Sequence, residues 1–395
     1  MGEEVGFAVR GERREGAATR LLYLTEGLLL RRLLAGAGGA SDDVVVLDEF
    51  HERSIDADLL LGVLQDRGIR VVVASATLDA AGIAASLGAV PLSVDARLHP
   101  VTLGHRKAPS VEPVWNLAAA AISSVLEDPE DDGGDILVFM PGRREIERTM
   151  ETCARVARQL EIRPLHGGLT AGEQDRAVSD QGTRRIVVAT NIAETSITIP
   201  RVTVVIDAGL ARIDRFDPGR DLPSLTTEPV DRASAVQRAG RAGRLRPGRC
   251  IRLYTESQFL RRPAARAPAT ARADLAEAFL KLRAANLDPS SFAWIDPPPA
   301  DAVRHAEDTL VAIGAVGKGG LTDAGRRIAS LPLPPRVGRF LVDALDAGGG
   351  RFAAGCAAVL GERELAPKMS PATLDGFRRS GDPEGDLAAR ARLIL

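Results

Sequence analysis

The stretch VVVLDEFHERSIDADLLLGVLQDRGIRVVVA, residues 44–74, decides the reading of the fold. Val44-Val45-Val46-Leu47 and Arg70-Val71-Val72-Val73-Ala74 are short β-branched runs bounded by polar residues. Between them, from Ser54 to Gln65, Leu59, Leu60, Leu61, Val63 and Leu64 recur at helical spacing. Strand, helix and strand in so short a span predict a βαβ unit of a parallel sheet. A second block repeats the pattern. Its strands are Ile136–Phe139, Ile186–Ala189 and Val202–Ile206, and a helix over Arg144–Arg158 sets Ile146, Met150 and Val156 on one side. Apolar runs without polar alternation predict sheets covered on both faces.

Composition narrows the class. The chain has 395 residues, 45% hydrophobic and 26% charged, which suits a globular protein of several domains and excludes a disordered tail or a fibre. No stretch approaches the roughly 20 uncharged apolar residues that a membrane helix needs. Glu3, Glu4, Arg10, Glu12, Arg13 and Arg14 leave no apolar signal core near the start, so no membrane association and a cytoplasmic location are expected. Cys153, Cys250 and Cys356 stand far apart, without the paired spacing of a metal knuckle or a disulfide frame. The net charge of −2 hides a local asymmetry: Arg232 to Arg272 holds 11 arginines against one acid, Glu256. That stretch points to an anionic partner. The alternative is the arginine-for-lysine bias of a GC-rich coding sequence, since only four of the 51 basic residues are lysines.

Between the blocks, Asp95 to Val114 reads as a connector, with Pro100, Pro109 and Pro113. The acidic run EDPEDDGGD, residues 127–135, reads as a solvated loop. After a Pro/Ala/Arg-rich loop at 262–270, helices are predicted over Ala271–Ala285 and Ala302–Ile313, then a Gly-rich turn at Gly314–Gly320 and a helix from Thr322. This order resembles a small winged-helix module. From Pro332 on, the chain is Ala/Leu-rich helix.

Several short motifs leave strands or open helices. Asp48-Glu49-Phe50-His51 follows Val44–Leu47, so two carboxylates stand at the carboxyl end of a parallel strand, where open α/β sheets bind ligands. One can hold Mg²⁺ through water and its neighbour can activate an attacking water. Alternatively both merely begin the next helix near its positive dipole end. Ser75-Ala76-Thr77 ends the next strand, and Thr25-Glu26-Gly27 precedes Leu28-Leu29-Leu30; each alone also reads as a helix cap. In QRAGRAGR, residues 237–244, Arg241 and Arg244 lie one helical turn apart with small residues between. Such guanidinium pairs suit the charge that develops on a γ-phosphate during transfer, whereas a solvated basic helix would not require the glycines. ATNIAETSITIP, residues 189–200, gathers hydroxyls, an amide and backbone N–H groups of the kind that hold phosphates.

TEG, DEFHER, SAT, FMPG, ATNIAETSITIP and QRAGRAGR occur in that order. Together they resemble the motifs of the DEAH-box RNA helicases. DEFH, VGFAVRGE at 5–12 and FDPG at 216–219 are similar to the bacterial HrpB-like branch. The resemblance runs from Val5 through at least Arg339. It implies two RecA-like α/β lobes built on parallel sheets, the first incomplete, then a winged-helix module and the start of a helical bundle. The corresponding spans are 1–98, 99–257, 258–330 and 331–395.

The resemblance further implies an ATP-driven (or other NTP-driven) RNA helicase that holds single-stranded RNA by its backbone. Asp48 would coordinate Mg²⁺ through water, Glu49 would activate the hydrolytic water, and His51 would couple that site to the second lobe. Ser75 and Thr77 would link hydrolysis to strand movement. Gln237, Arg241 and Arg244 would reach the γ-phosphate. Thr25, Gly142, Thr190 and Asn191 would touch the RNA backbone, with Glu194, Thr195 and Ser196 nearer the nucleotide. The family's G-x-x-x-x-G-K-[ST] motif occurs nowhere in the chain, and the only Gly-Lys is Gly317-Lys318. A fragment lacking the P-loop and the C-terminal region is therefore expected. Ala208-Gly209-Leu210 stands where many relatives place a base-stacking aromatic. The rival readings are a nonhydrolysing RNA-binding remnant and a DNA helicase of the same superfamily.

Overall fold

The structure, a computed structural model, describes residues 4–9, 11–37, 43–76, 80–94, 99–180, 182–195, 197–217, 222–361, 387, 391 and 392. Its contacts group these into two units, one of 1–73 with 268–395 and one of 74–267. The mixed α/β architecture is the expected fold class.

The first unit opens with β1 (Val5–Val9), β2 (Glu12–Arg14) and β3 (Leu21–Leu24), a three-stranded sheet in the order β2-β1-β3. Helix α1 (Glu26–Leu34) leads to β4 (Val44–Leu47), α2 (Ile55–Asp66) and β5 (Arg70–Val73), the predicted βαβ unit. Strands β4 and β5 pair in parallel, Val44 with Arg70 through Leu47 with Val73. Ser54 caps α2 by accepting from the Ala57 N–H at 3.0 Å. Every residue from Ala57 to Leu64 is buried, so α2 is a core helix rather than a surface one. Among the described residues, coverage on both sheet faces is not found here. Val44, Val46 and Val72 are exposed, because alternate residues of the two paired strands project to the face away from α2.

The second unit contains α3 (Ala80–Leu87), β6 (Val101–Arg106), α4 (Val114–Leu126), β7 (Asp135–Phe139), α5 (Arg143–Val156), β8 (Glu161–Leu165), α6 (Ala171–Val178), β9 (Arg185–Ala189) and β10 (Val202–Asp207). It continues with β11 (Leu210–Asp217), β12 (Leu222–Pro229), α7 (Arg232–Gly240), β13 (Gly248–Thr255) and α8 (Glu256–Leu260). Six strands form one parallel sheet, ordered β6-β13-β10-β7-β9-β8. Here the apolar runs are covered on both faces. Ile136, Val138, Ile186, Val188, Val204 and Ile206 pack with Ile122 and Val125 of α4 and Ile146 of α5, while Leu137, Phe139, Val187 and Val205 pack with Ala239, Ala242 and Cys250.

Three expectations are corrected in this unit. The connector contains an edge strand, because β6 pairs with β13 from Val101–Gly248 onward. The tertiary partner decides, since V-T-L-G-H-R carries little strand signal of its own. The acidic run is not simply solvated: Asp135 is 1% exposed and accepts from the Arg185 N–H and Nε, each at 3.2 Å. Asp128, Asp131 and Asp132 pair with Arg249, Arg184 and Arg246. Finally, β11 and β12 form a long antiparallel hairpin, paired from Leu210–Pro229 to Asp217–Leu222, where no element was expected.

The chain then rejoins the first unit with α9 (Ala276–Ala284), α10 (Ala300–Ala312), β14 (Val316–Gly317), β15 (Gly320–Leu321), α11 (Asp323–Ala329), α12 (Pro335–Asp346) and α13 (Gly350–Gly361). Two helices, a tight hairpin and a third helix follow in the order read from the sequence, the first helix starting at Ala276 rather than Ala271. Gly62 explains one join. A Cβ there would stand 2.3 Å from Phe292 Cζ, so the helix tolerates a glycine, worth about 1 kcal/mol against alanine, to admit that ring. Phe292 in turn meets Trp294 edge-on at 5.0 Å.

The contrast between the two sheets sets a measurable expectation. Amides of β4 and β5 should exchange with deuterium orders of magnitude faster than those of β7, β9 and β10, because one face of the two-stranded pair is exposed. Equal protection, read by mass spectrometry after pepsin digestion, would contradict it.

Candidate functional site

In the first unit, Thr25 occupies the N-cap of α1, yet its exposed side chain makes no capping bond. Glu26 turns inward and accepts from Ser54 Oγ at 2.5 Å, and burial raises its pKa against that hydrogen bond. Asp48 is exposed directly after β4, with Oδ1 accepting from the Glu49 N–H at 2.9 Å. Glu49 and Arg53 both adopt left-handed backbone, with φ of 52° and 48°, on either side of a 3₁₀ turn over Phe50–Glu52. Non-glycine residues hold that conformation at a cost of about 1 kcal/mol or more each, and such strain gathers at functional turns. Two contacts fix it. Phe50 is 1% exposed, and Arg53 donates to Asp58 at 2.9 and 3.0 Å and pairs with Asp296 at 2.7 Å. The turn brings His51 Nδ1 to 3.5 Å from Glu49 Oε2. Asp48, Glu49 and His51 are thus gathered on one strained turn.

Asp48 suits Mg²⁺, which takes one or two carboxylates and completes its octahedron with water and phosphate oxygens. Among the described residues, no three His, Cys, Asp or Glu side chains gather to hold a metal by protein ligands alone.

In the second unit, the motifs leave neighbouring parallel strands. Gly142 is the N-cap of α5, two residues beyond Met140, whose N–H donates to Ala189 O of the adjacent strand at 2.8 Å. Arg212 of β11 lies over Gly142, and a Cβ there would meet its Nε at 2.6 Å. Thr190 stands at the N-cap position of a 3₁₀ turn over Asn191–Ala193 without a side-chain capping bond; Asn191 is exposed and Thr195 half-buried. Ser75 is exposed just beyond β5, while Thr77 and Ser196 lie outside the described residues.

The arginine motif is not one continuous helix face. Helix α7 ends at Gly240 and Arg241–Gly243 tightens into a 3₁₀ turn, with Arg244 as its C-cap. Arg241 is half-buried and donates to main-chain oxygens: Nε to Glu194 at 2.9 Å, Nη1 to Ile197 at 2.7 Å and Nη2 to Thr195 at 2.7 Å. Arg244 is exposed, and Gln237 is half-buried. Arg241 therefore splints the ATNIAET loop to the end of α7, while Arg244 faces solvent.

The residues missed in the sequence are the buried ones. Arg238 is 0% exposed, donates from Nε to Glu194 Oε2 and from Nη1 to Asp207 Oδ1, each at 2.9 Å, and lies 4.8 Å over the Phe139 ring. Burial alone lowers a guanidinium pKa, but the two carboxylates outweigh it and that of Arg238 is raised. Glu194, expected near a nucleotide, points its carboxylate into this pair. Asp207 Oδ2 accepts from Tyr254 Oη at 2.9 Å, and burial, then the Asp207 charge, pushes the phenol pKa up. One signal was available. Asp207 ends an apolar strand with a carboxylate as Asp48 does, and Arg238 sits inside QRAGRAGR. The arginine-rich stretch is also largely committed: Arg238, Arg252 and Arg262 are buried, and Arg246, Arg249 and Arg266 are paired with acids.

Residues 118–246 match the helicase conserved C-terminal domain. The chain is 35% identical over 376 residues to a probable ATP-dependent RNA helicase, a DHX35 homolog of Caenorhabditis elegans, covering 88% of this chain and 51% of that protein. It is 35% identical over 384 residues to the ATP-dependent RNA helicase HrpB of Escherichia coli, covering 94% of this chain and 47% of that protein. A crystal structure titled as the Escherichia coli DEAH/RHA helicase HrpB matches with a TM-score of 0.85 at 33% identity, over 100% of this chain and 51% of the other. A second, titled as the E. coli DExH-box NTPase HrpB, matches at 0.81 and 33% identity, over 99% and 50%. The chain thus spans about half the length of the relatives it matches.

The buried network carries two expectations. Arg238→Met should cost about 3–5 kcal/mol, because it leaves Glu194 and Asp207 buried without their cation, whereas Arg244→Ala should change denaturant midpoints little. Tyr254 should stay protonated in the native chain, so absorbance at 295 nm should coincide for wild type and Tyr254→Phe up to about pH 11 and diverge only on unfolding. Its raised pKa contributes stability that is complete below the unfolded value near 10 and is lost as the pH climbs above it. Early divergence would show an accessible phenol.

Proposed function

We propose that the chain, which spans about half of those proteins, is the motif-bearing part of an ATP-dependent RNA helicase of the HrpB-like DEAH-box family. The observation that carries the reading is positional. Asp48, Gly142 and Thr190 all follow the carboxyl ends of parallel strands, where α/β sheets bind their ligands, and β7 and β9 are direct neighbours. The proposed organisation is a first RecA-like lobe over 1–98, a second over 99–257, a winged-helix module over 258–330 and helical-bundle residues from 331. Among the described residues no helix is long and apolar enough to cross a membrane; a cytoplasmic location is part of the proposal.

Asp48 is the residue that would hold Mg²⁺, which when bound neutralises phosphate charge. Glu49, held in its left-handed turn, accepts the proton of the attacking water, and His51 steadies its carboxylate. Arg244 offers its guanidinium to the charge that grows on the γ-phosphate, and Arg241 keeps the loop before it in register. Gln237, half-buried in α7, would reach toward that phosphate too. Ser75, Thr77, Thr195 and Ser196 respond to the nucleotide state. Thr25, Gly142, Thr190 and Asn191 contact the RNA backbone through hydroxyl, amide and N–H groups, which grips single strands without reading bases.

The absence of G-x-x-x-x-G-K-[ST] from the sequence favours one refinement: this chain by itself binds RNA without turning over ATP. Fluorescence anisotropy with a single-stranded oligonucleotide should show salt-dependent binding that weakens with Asn191→Ala and is unchanged by Arg244→Ala. Phosphate release should stay at background with or without RNA. Robust RNA-stimulated turnover would overturn the refinement, and failure to bind RNA would overturn the reading. Stronger competition by DNA would favour a DNA helicase instead.

A further inference from the structure

The long β11–β12 hairpin is rooted in the same buried network that holds Glu194. Its strands enter through Gly209 and leave through Val230, and the two ends meet where the Val230 N–H donates to Gly209 O at 3.0 Å. Arg262 Nη1 donates to both root carbonyls, Gly209 O and Val230 O, at 3.0 Å each. Gly209 has a φ of 67°, and its N–H donates to Asp207 Oδ1 at 2.8 Å. A Cβ on Gly209 would stand 2.3 Å from the Tyr254 ring and 2.5 Å from Arg262 Nη2, so the root is packed shut.

From that root a chain of buried contacts runs to the ATNIAET loop. The Arg262 guanidinium lies 3.8 Å over the Tyr254 ring, Tyr254 Oη donates to Asp207 Oδ2, Asp207 Oδ1 accepts from Arg238, and Arg238 Nε donates to Glu194 Oε2. Arg238 Nη1 also reaches Leu210 O, the first residue of the hairpin, at 3.2 Å. All five side chains are less than 10% exposed. In such a setting each charge depends on its neighbour, and loosening one link leaves the next unsatisfied.

We propose that Arg262 and Tyr254 are positioning residues that make the hairpin root and the Glu194 loop a single mechanical joint, with Asp207 and Arg238 as its centre. The inference rests on the helicase reading only for what the ends do: the loop and α7 lie on the nucleotide side of that reading, and the hairpin is the element moved with them. A displacement at Arg238 and Glu194 is then carried to the hairpin without a contact between hairpin and nucleotide.

Hydrogen exchange on the purified chain, without RNA or nucleotide, tests this, so its outcome is separate from any failure of RNA binding. The informative amides are Gly209 and Val230 at the root, and Ala193 and Glu194 in the loop, which donate to Thr190 O and Asn191 O. Arg262→Ala should raise exchange roughly tenfold at both places, as loss of a buried hydrogen-bonded partner does, with β7 and β9 unchanged. Tyr254→Phe, a milder change that keeps the ring, should do the same at Ala193 and Glu194. Arg262→Lys, which keeps a cation on the ring and a donor for the carbonyls, should restore most of the loop protection. An effect confined to the root, one spread evenly over β7 and β9, or a lysine variant no better than alanine would each overturn the joint.

Discussion

Asp207 is a fully buried carboxylate at the end of an inner strand, and burial obliges it to find partners for both oxygens. One oxygen takes Arg238 and the Gly209 N–H; the other takes Tyr254. Those three contacts decide where α7 lies, where the hairpin departs and how β13 is oriented beside β10. Hydrophobic packing on the two faces of the sheet supplies most of the stabilisation, but it is non-directional. The buried charges supply direction, because a guanidinium between two carboxylates accepts few alternative geometries.

The same logic operates more weakly around the first unit's strained turn. Glu49 and Arg53 sit in left-handed backbone because Phe50 is driven inward between them and Arg53 is drawn to Asp58 and Asp296. Arg53 also lends its main-chain oxygen to the Ala269 N–H at 3.0 Å. The carboxylate pair of DEFH is therefore held by residues from 268 onward as well as by its own strand. A local motif thus owes its geometry to a segment more than two hundred residues away.

The arginine-rich stretch shows how a charge count misleads. Eleven arginines against one acid read as an anion-binding face. In the folded unit Arg249 and Arg246 meet the acidic run 127–135, and Arg238, Arg252 and Arg262 are drawn inside. Two opposite local asymmetries, more than a hundred residues apart, cancel against each other. What is left at the surface is a small set that includes Arg244.

The sequence by itself determined the parallel sheets, the order of the motifs and the helices after residue 275, since these depend on hydrophobic period, strand-end residues and capping, all local. It also placed Asp48 and Glu49 at the end of a strand. Edge strand β6, the hairpin, the inward turn of Glu194 and the different fates of Arg241 and Arg244 came only with the tertiary structure. Each is settled by a partner distant in the chain: β13 for β6, Asp207 and Arg262 for the hairpin, Arg238 for Glu194, main-chain oxygens of 194, 195 and 197 for Arg241. A buried polar atom must be satisfied by whatever the fold brings within about 3 Å, and no local pattern encodes which residue that will be.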